Sequence, residues 1–452
     1  MTDTTAAMAA DRAAPGGGRH RPLRHTAARY AIYPTEDHFD GRFGAPELMA
    51  ALSRRRIASQ TVCNPLAVHV RIPFHGARHH PVIAQAAVLH QERVVPYLEA
   101  LEREVTLVVE QIGACRTVSR LHVGGDSPGC LGDGDLARLM GLLRRNFHLE
   151  PDADVAIEID PATVDARRLA HLRELGFDHV VMTVADAARE TLDRLADLVA
   201  TARGLAFSSI DIELAGEDWL AARPLADVAT LQADTIALPE QHRGHARMDP
   251  VQAAADGAGR AALGSAARAC LAAAGYDAIG MGRFARHAGP LAVARREGRL
   301  QLTLQGCRAR PDDDVLGLGV AAIGRIGDCL YQNARTLAAY HGALEGDRLP
   351  VTHGHVVDAG DELQQDVIQA LMTRGRVEFS DVLARRGVDV RTAFAAEISR
   401  LAPFVARGLV ELHDDRIDLT PGGGYVADEI AAVFDRYLHA RAVPAQPART
   451  GR

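Results

Sequence analysis

Five histidines, His69, His75, His79, His80 and His90, fall within one short span of a 452-residue chain. Neutral imidazoles suit zinc, iron or haem iron as ligands. His75 and His79 have the i, i+4 spacing that would turn both rings toward one ion if the loop were helical. Gly76 and Pro81 work against a regular helix there, so the competing reading is a solvated loop whose histidines face water. His75, His79 and His80 are the candidate ligands for a metal or a haem. The six cysteines, Cys63, Cys115, Cys130, Cys270, Cys307 and Cys329, are scattered. With no pair spaced as a metal knuckle or redox motif, they read as free buried thiols in a reducing cytoplasm.

The elements that must position these side chains follow from periodicity. Leu66, Val68 and Val70 alternate with more polar neighbours, which predicts a strand over 66–71, and Ile-Pro-Phe at 72–74 stops it. The histidine-rich loop therefore hangs from the end of a strand. A helix over 94–112 places Leu98, Leu101, Val105, Val108 and Ile112 on one face. Further strands are predicted at 119–123, 155–159, 179–184, 209–214 and 235–238, with helices at 135–146, 163–175, 188–203 and 219–229. That alternation is the pattern of a parallel sheet built from right-handed crossovers. Six such units predict an α/β fold, a partial and open (β/α)6 TIM-like barrel. The alanine-rich helix 258–274 and the apolar segment 276–284 are expected to pack against its open side.

Beyond about residue 350 the pattern changes to helices at 363–373, 378–386 and 391–407, a hairpin at 408–420 and a last helix at 425–438. This predicts a small winged-helix-like domain. It lacks a basic recognition helix, so a packing or lid role is expected rather than DNA binding. The organisation expected is a disordered tail over 1–27, the barrel with an N-terminal arm over 28–348, the C-terminal domain over 349–440 and a second tail over 441–452.

Composition excludes several classes. Apolar residues at 47% and charged residues at 24% are ordinary for a soluble globular protein. A net charge of -7 argues against general affinity for nucleic acid. No lysine occurs, so every basic side chain beyond histidine is arginine. No secretory signal or apolar run of membrane-spanning length is read, and a cytoplasmic location without membrane association is expected.

Several blocks carry a family resemblance. ARYAIYPT at 28–35 resembles a PRYTSYPT arm, LHVGGDSPGCL at 121–131 resembles LHWGGGTPTYL, and AIEIDP at 156–161 resembles IEVDP. LGFDHVVMTVAD at 175–186, LAVARREGRL, LGLGVAAIGRIGD and the run from LAPF to GLVEL continue the match in order. On these blocks, over about residues 28–440, the chain resembles the oxygen-independent coproporphyrinogen III oxidases of the radical SAM superfamily.

The resemblance implies a barrel of radical SAM type. It implies oxidative decarboxylation of two propionates of coproporphyrinogen III, giving protoporphyrinogen IX, with a 4Fe-4S cluster and S-adenosylmethionine. The family holds that cluster with Cys-x-x-x-Cys-x-x-Cys, and the corresponding positions here are His75, His79 and Val82. Valine cannot coordinate a metal, and three thiolates with one open iron are what the chemistry demands. The family's strand tyrosine is His69, and the third glycine after Gly124 and Gly125 is Asp126. The family's tyrosine after QG is Cys307. Glu158 and Asp211 match retained acids of the cofactor region and are read at the carboxyl ends of strands, where barrel sites lie. Their alternative role is to cap loop amides.

The expectation is a homologue without radical SAM catalysis, lacking cluster and S-adenosylmethionine, with a tetrapyrrole-binding or regulatory role and a tetrapyrrole or protein as partner. Alternatives are an active coproporphyrinogen III decarboxylase and a haem or metal binder using the histidine-rich loop.

Overall fold

Short runs of valine and isoleucine separated by amphipathic helices can bury both faces only by lying side by side under a helical layer. In the computed structural model they do so as β1 (Leu66–Ile72), β2 (Thr117–Gly125), β3 (His148–Ile159), β4 (His179–Val184), β5 (Ser209–Leu214) and β6 (Thr235–Ala237). Adjacent strands pair in parallel in that order. The structure describes residues 30–74, 93–125, 128, 131–185, 187–215, 219, 222–238, 265–310 and 314–440.

Helices α1 (Ala45–Ala58), α2 (Val95–Ile112), α3 (Asp133–Asn146), α4 (Ala166–Glu174), α5 (Arg189–Gly204) and α6 (Ala222–Ala229) accompany the strands. α2 buries Leu98, Leu101, Val105, Val108 and Ile112, the face its periodicity predicts. Leu66, Val68, Val70 and Ile72 of β1 are buried in the same core.

The sheet extends past both ends of this parallel set to twelve strands. On one side lie β7 (Tyr276–Gly280) and β8 (Arg283–Arg286), with β8 antiparallel to β6. The segment 276–284 therefore continues the sheet instead of covering its open side, because a free edge at β6 would leave backbone donors and acceptors unpaired. A short hairpin of β9 (Gln301–Thr303) and β10 (Gly306–Arg308) follows. At the other end β11 (Asp314–Leu318) runs parallel to β1. β12 (Ile323–Ile326), β13 (Cys329–Asn333) and β14 (Val351–Val356) add antiparallel neighbours.

The cysteine reading needs one correction. Cys63 and Cys115 form a disulfide with their Cα atoms 5.6 Å apart, although 52 residues separate them in sequence. Each lies just before a strand, β1 or β2, and parallel pairing brings the amino ends of those strands together. Among the described residues, Cys270, Cys307 and Cys329 form no disulfide.

The C-terminal unit begins with α7 (Ala359–Arg374), whose N-cap Asp358 accepts from the amide of Asp361. Gly375 closes it at φ 69°. Helix Phe379–Arg386 and the sheet β15 (Arg376–Glu378), β17 (Arg416–Leu419), β16 (Val410–Leu412), in that spatial order, complete the winged-helix pattern. The helix expected over 391–407 is broken into Val390–Ala393, Ala395–Arg400 and Ala402–Val405. Pro403, which cannot donate an amide, opens the last piece.

Tyr30 and Tyr33 of the N-terminal arm are buried in a second core with Leu371, Phe404 and Phe434 of the C-terminal unit. Tyr30 Oη donates to Asp435 Oδ2 at 3.1 Å, and Arg436 N donates to Tyr33 Oη at 3.1 Å.

Candidate functional site

Side chains alternate across a strand, so residues two apart share a face. Parallel register then sets polar side chains of β1, β2 and β3 beside one another. His69 and His122 are direct partners across β1 and β2, and their rings meet edge to face with centroids 5.3 Å apart. His122 Nε2 lies 2.9 Å from Glu158 Oε1. Glu158 Oε2 accepts from the amide of Gly125 at 3.0 Å.

Burial pushes the Glu158 carboxyl up to about 7, against the amide of Gly125 and the charges of Arg71 and Arg283, which pull it down. Burial also holds His122 well below the usual imidazole range, and the cations Arg308 and Arg120 push the same way. A neutral imidazole thus faces a carboxyl that changes charge near neutrality. Such a pair can hold or pass one proton, the protonated acid donating to Nε2 or the ionised acid accepting from it.

The two glycines of this site are required by contact. A Cβ on Gly124 would stand 2.6 Å from Glu158 Oε1 and 2.7 Å from His122 Nε2. Gly125 has φ 119°, and a Cβ there would lie 2.5 Å from the carbonyl oxygen of Ile72. The His122–Glu158 side chains beside Gly124, and the end of β1 beside Gly125, are thus sufficient reason for each glycine.

A second polar group lies further toward the amino ends of the strands. His179 Nδ1 sits 2.8 Å from Asp154 Oδ1, and its Nε2 is 3.2 Å from Asp211 Oδ2. Arg308 reaches Asp154 at 3.2 Å. Burial alone would lower the His179 pKa, but the carboxylates of Asp211 and Asp154 outweigh it and raise it to about 10. Asp154 is held far below the usual carboxylate range: burial opposes this, and Arg308 and His179 overcome it. Nearer the mouth, Glu213 pairs with Arg283 at 2.9 Å.

His69, Gly124, Gly125 and Glu158 are brought together with His122 at one place. Asp211 is not: it is the third residue of β5, near that strand's amino end, and it belongs to the His179 group. The acid at the carboxyl end is Glu213, which the sequence reading passed over. The signal was available in SIDIEL, where Ser209, Asp211 and Glu213 alternate with buried apolar residues and so share one face. His122 and His179 were also missed, though each lies in a block used for the family resemblance. His75, His79, His80, Val82 and Asp126 lie outside the described residues.

Among the described residues, metal-type ligands converge at Glu411, His413 and Asp418 on the β16–β17 hairpin. Arg416 already pairs with Asp418 at 2.8 Å, and Arg376 pairs with it too. No helix among the described residues is long and apolar enough to cross a membrane.

Comparison with known proteins agrees with this architecture. Residues 358–426 match the family described as the HemN C-terminal domain. The chain is 32% identical to the oxygen-independent coproporphyrinogen III oxidase of Pseudomonas aeruginosa, covering 91% of this chain and 93% of that protein. It is 32% identical to the Escherichia coli protein of the same name, covering 92% and 94%. The solved structure of coproporphyrinogen III oxidase (HemN) from Escherichia coli, described as a radical SAM enzyme, superposes with a TM-score of 0.76 at 31% identity. It covers 90% of this chain and 97% of that one.

Proposed function

The chain belongs to the oxygen-independent coproporphyrinogen III oxidase family, and on that premise we propose that it is a member without radical catalysis, which binds a tetrapyrrole or a protein partner of tetrapyrrole metabolism. The donor set carries this reading. A 4Fe-4S cluster that activates S-adenosylmethionine needs three thiolates and one iron left open. The chain that follows β1, from Pro73 to Glu92, contains four histidines and no cysteine. Cys63 and Cys115 are bonded to each other at the amino ends of β1 and β2. Cys307 and Cys329 are buried in apolar cores, and Cys270 packs against one of them. Cys130 is a single further thiol, too few for the task. The residues present do not fit the cluster, and no reaction step is derived through it. Glu158, the retained acid, already has both oxygens engaged, by His122 and by the Gly125 amide.

The test is anaerobic reconstitution of the full chain with iron and sulfide, followed by absorption spectroscopy and an assay for deoxyadenosine. The expected result is no stable cluster and no deoxyadenosine, together with saturable binding of coproporphyrin measured by fluorescence. A stable cluster with deoxyadenosine formation overturns the reading. A Soret band on haem titration that disappears in a His75→Ala, His79→Ala double variant would instead assign the histidine-rich loop as the ligand.

A further inference from the structure

A cavity of about 270 Å³ opens between the helix 265–273, strand β7 and the helix Pro290–Arg296. No residue of the His122–Glu158 site lines it. Its polar lining is Arg268, Tyr276, Asp277, Arg295 and Arg296, and the remaining walls are alanines.

Most of these polar groups are satisfied by protein partners. Arg296 Nη1 lies 2.6 Å from Asp277 Oδ2 and donates to the carbonyl of His287 at 3.0 Å. Asp277 also takes His287 Nδ1 at 3.0 Å. Tyr276 Oη donates to the carbonyl of Ala233 at 2.8 Å.

Arg295 is different. Among the described residues its side chain makes no hydrogen bond or ion pair, and its Nε is buried without an acceptor. Together with Arg268 it also lines a second void of about 40 Å³ that reaches Gly424 and Ala427 of the C-terminal unit. Desolvation, then repulsion from Arg268, holds the Arg295 guanidinium below its ordinary pKa.

A partly buried cation beside a like charge and without its own acceptor is unfavourable. An incoming oxyanion relieves it, because guanidinium pairs bidentately with carboxylate and phosphate. We propose that this cavity is a binding site for a small oxyanion, a carboxylate or phosphate group, held by Arg295 with Arg268 alongside. Its volume suits such a group and is below the ~300 Å³ at which pockets for larger organic ligands begin. The site shares no residue with the barrel mouth and does not depend on whether radical chemistry persists there.

The test is thermal unfolding of the full chain against increasing inorganic phosphate and, separately, succinate, at constant ionic strength. A saturable rise in melting temperature is expected with at least one of them. A response to phosphate alone assigns a phosphoryl ligand, and a response to succinate alone assigns a carboxylic acid. Arg295→Gln should weaken the responding anion about tenfold or more, as loss of a hydrogen bond to a charged group does. Arg268→Gln gives an independent second route should Arg295→Gln fail to fold. Arg42→Ala, which removes an exposed arginine paired with Asp40 at 2.8 Å, should leave the response unchanged. Absence of a saturable response to both anions overturns the proposal. So does a response of unchanged affinity in the Arg295 and Arg268 variants.

Discussion

The clasp between the N-terminal arm and the C-terminal unit is built from the same side-chain types as the mouth of the barrel, yet the two regions use them differently. In the clasp each polar group faces another. Asp361 takes His355 at 2.8 Å, Tyr437 at 2.9 Å and Arg436 at 2.9 Å, and His38 stacks on Tyr437 with ring centroids 4.9 Å apart. Asp435 accepts from the hydroxyls of Tyr30 and Tyr33. At the mouth, Glu158 keeps 21% of its side-chain surface open, and His122 Nδ1 is buried with no hydrogen-bond partner among the described residues. A closed network contributes stability, whereas a partly open one of perturbed acids and imidazoles is where a ligand would act. The difference teaches that family likeness in this chain has two separable contents, a scaffold and a site.

The largest effect should come from breaking the clasp. Asp435→Ala removes the acceptor carboxylate shared by the Tyr30 hydroxyl and the Tyr437 amide, while Tyr33 keeps Gln364 Oε1 as an acceptor; at about 1 to 3 kcal/mol for each lost partner, urea denaturation should show a loss of about 2 to 6 kcal/mol. A loss below about 1 kcal/mol would remove the distinction between the two regions.

The His179 group sharpens the comparison, because it lies in the barrel but sets its imidazole between two carboxylates. His179→Ala should cost about 3 kcal/mol, since two partly buried carboxylates lose their shared cation while Arg308 still serves Asp154. The raised His179 pKa adds a pH signature. Its contribution is fully present below about 6.5, the ordinary imidazole value. It is lost as pH rises through the folded value of about 10. Stability measured from pH 6.5 upward should therefore fall in the native protein, and more shallowly in His179→Ala.

The smallest effect belongs to the mouth. Glu158→Gln keeps an oxygen for the Gly125 amide, so a change within about 1 kcal/mol at pH 7 is expected. A carboxyl raised from 4.5 to about 7 contributes stability that is present below 4.5 and lost as pH rises toward 7. Glu158→Gln should flatten that slope. Urea midpoints of the two proteins between pH 4.5 and 7 check this, and parallel curves would show that Glu158 titrates normally.

The parallel strands were legible because each is a local event: the valine-rich run at 179–184 and the alternating isoleucines at 209–214 gave strands with the observed limits. The candidate site was legible in part. Glu158, Gly124, Gly125 and His69 could be selected from motif blocks. The role of His179 depends on Asp154 and Asp211, one from each flanking strand, and no local pattern announces that pairing.

The sequence alone determined the strand and helix periodicity, the family, and the cluster of histidines after β1, because these are properties of residue type and spacing along the chain. Only the tertiary structure decided that Cys63 meets Cys115, that β11 joins β1 across more than two hundred residues, that Tyr30 and Tyr33 serve the C-terminal core, and that Arg295 is left facing a cavity. Each of these is a contact between distant segments. Its existence is fixed by register and by which surfaces remain to be buried once the local elements have formed.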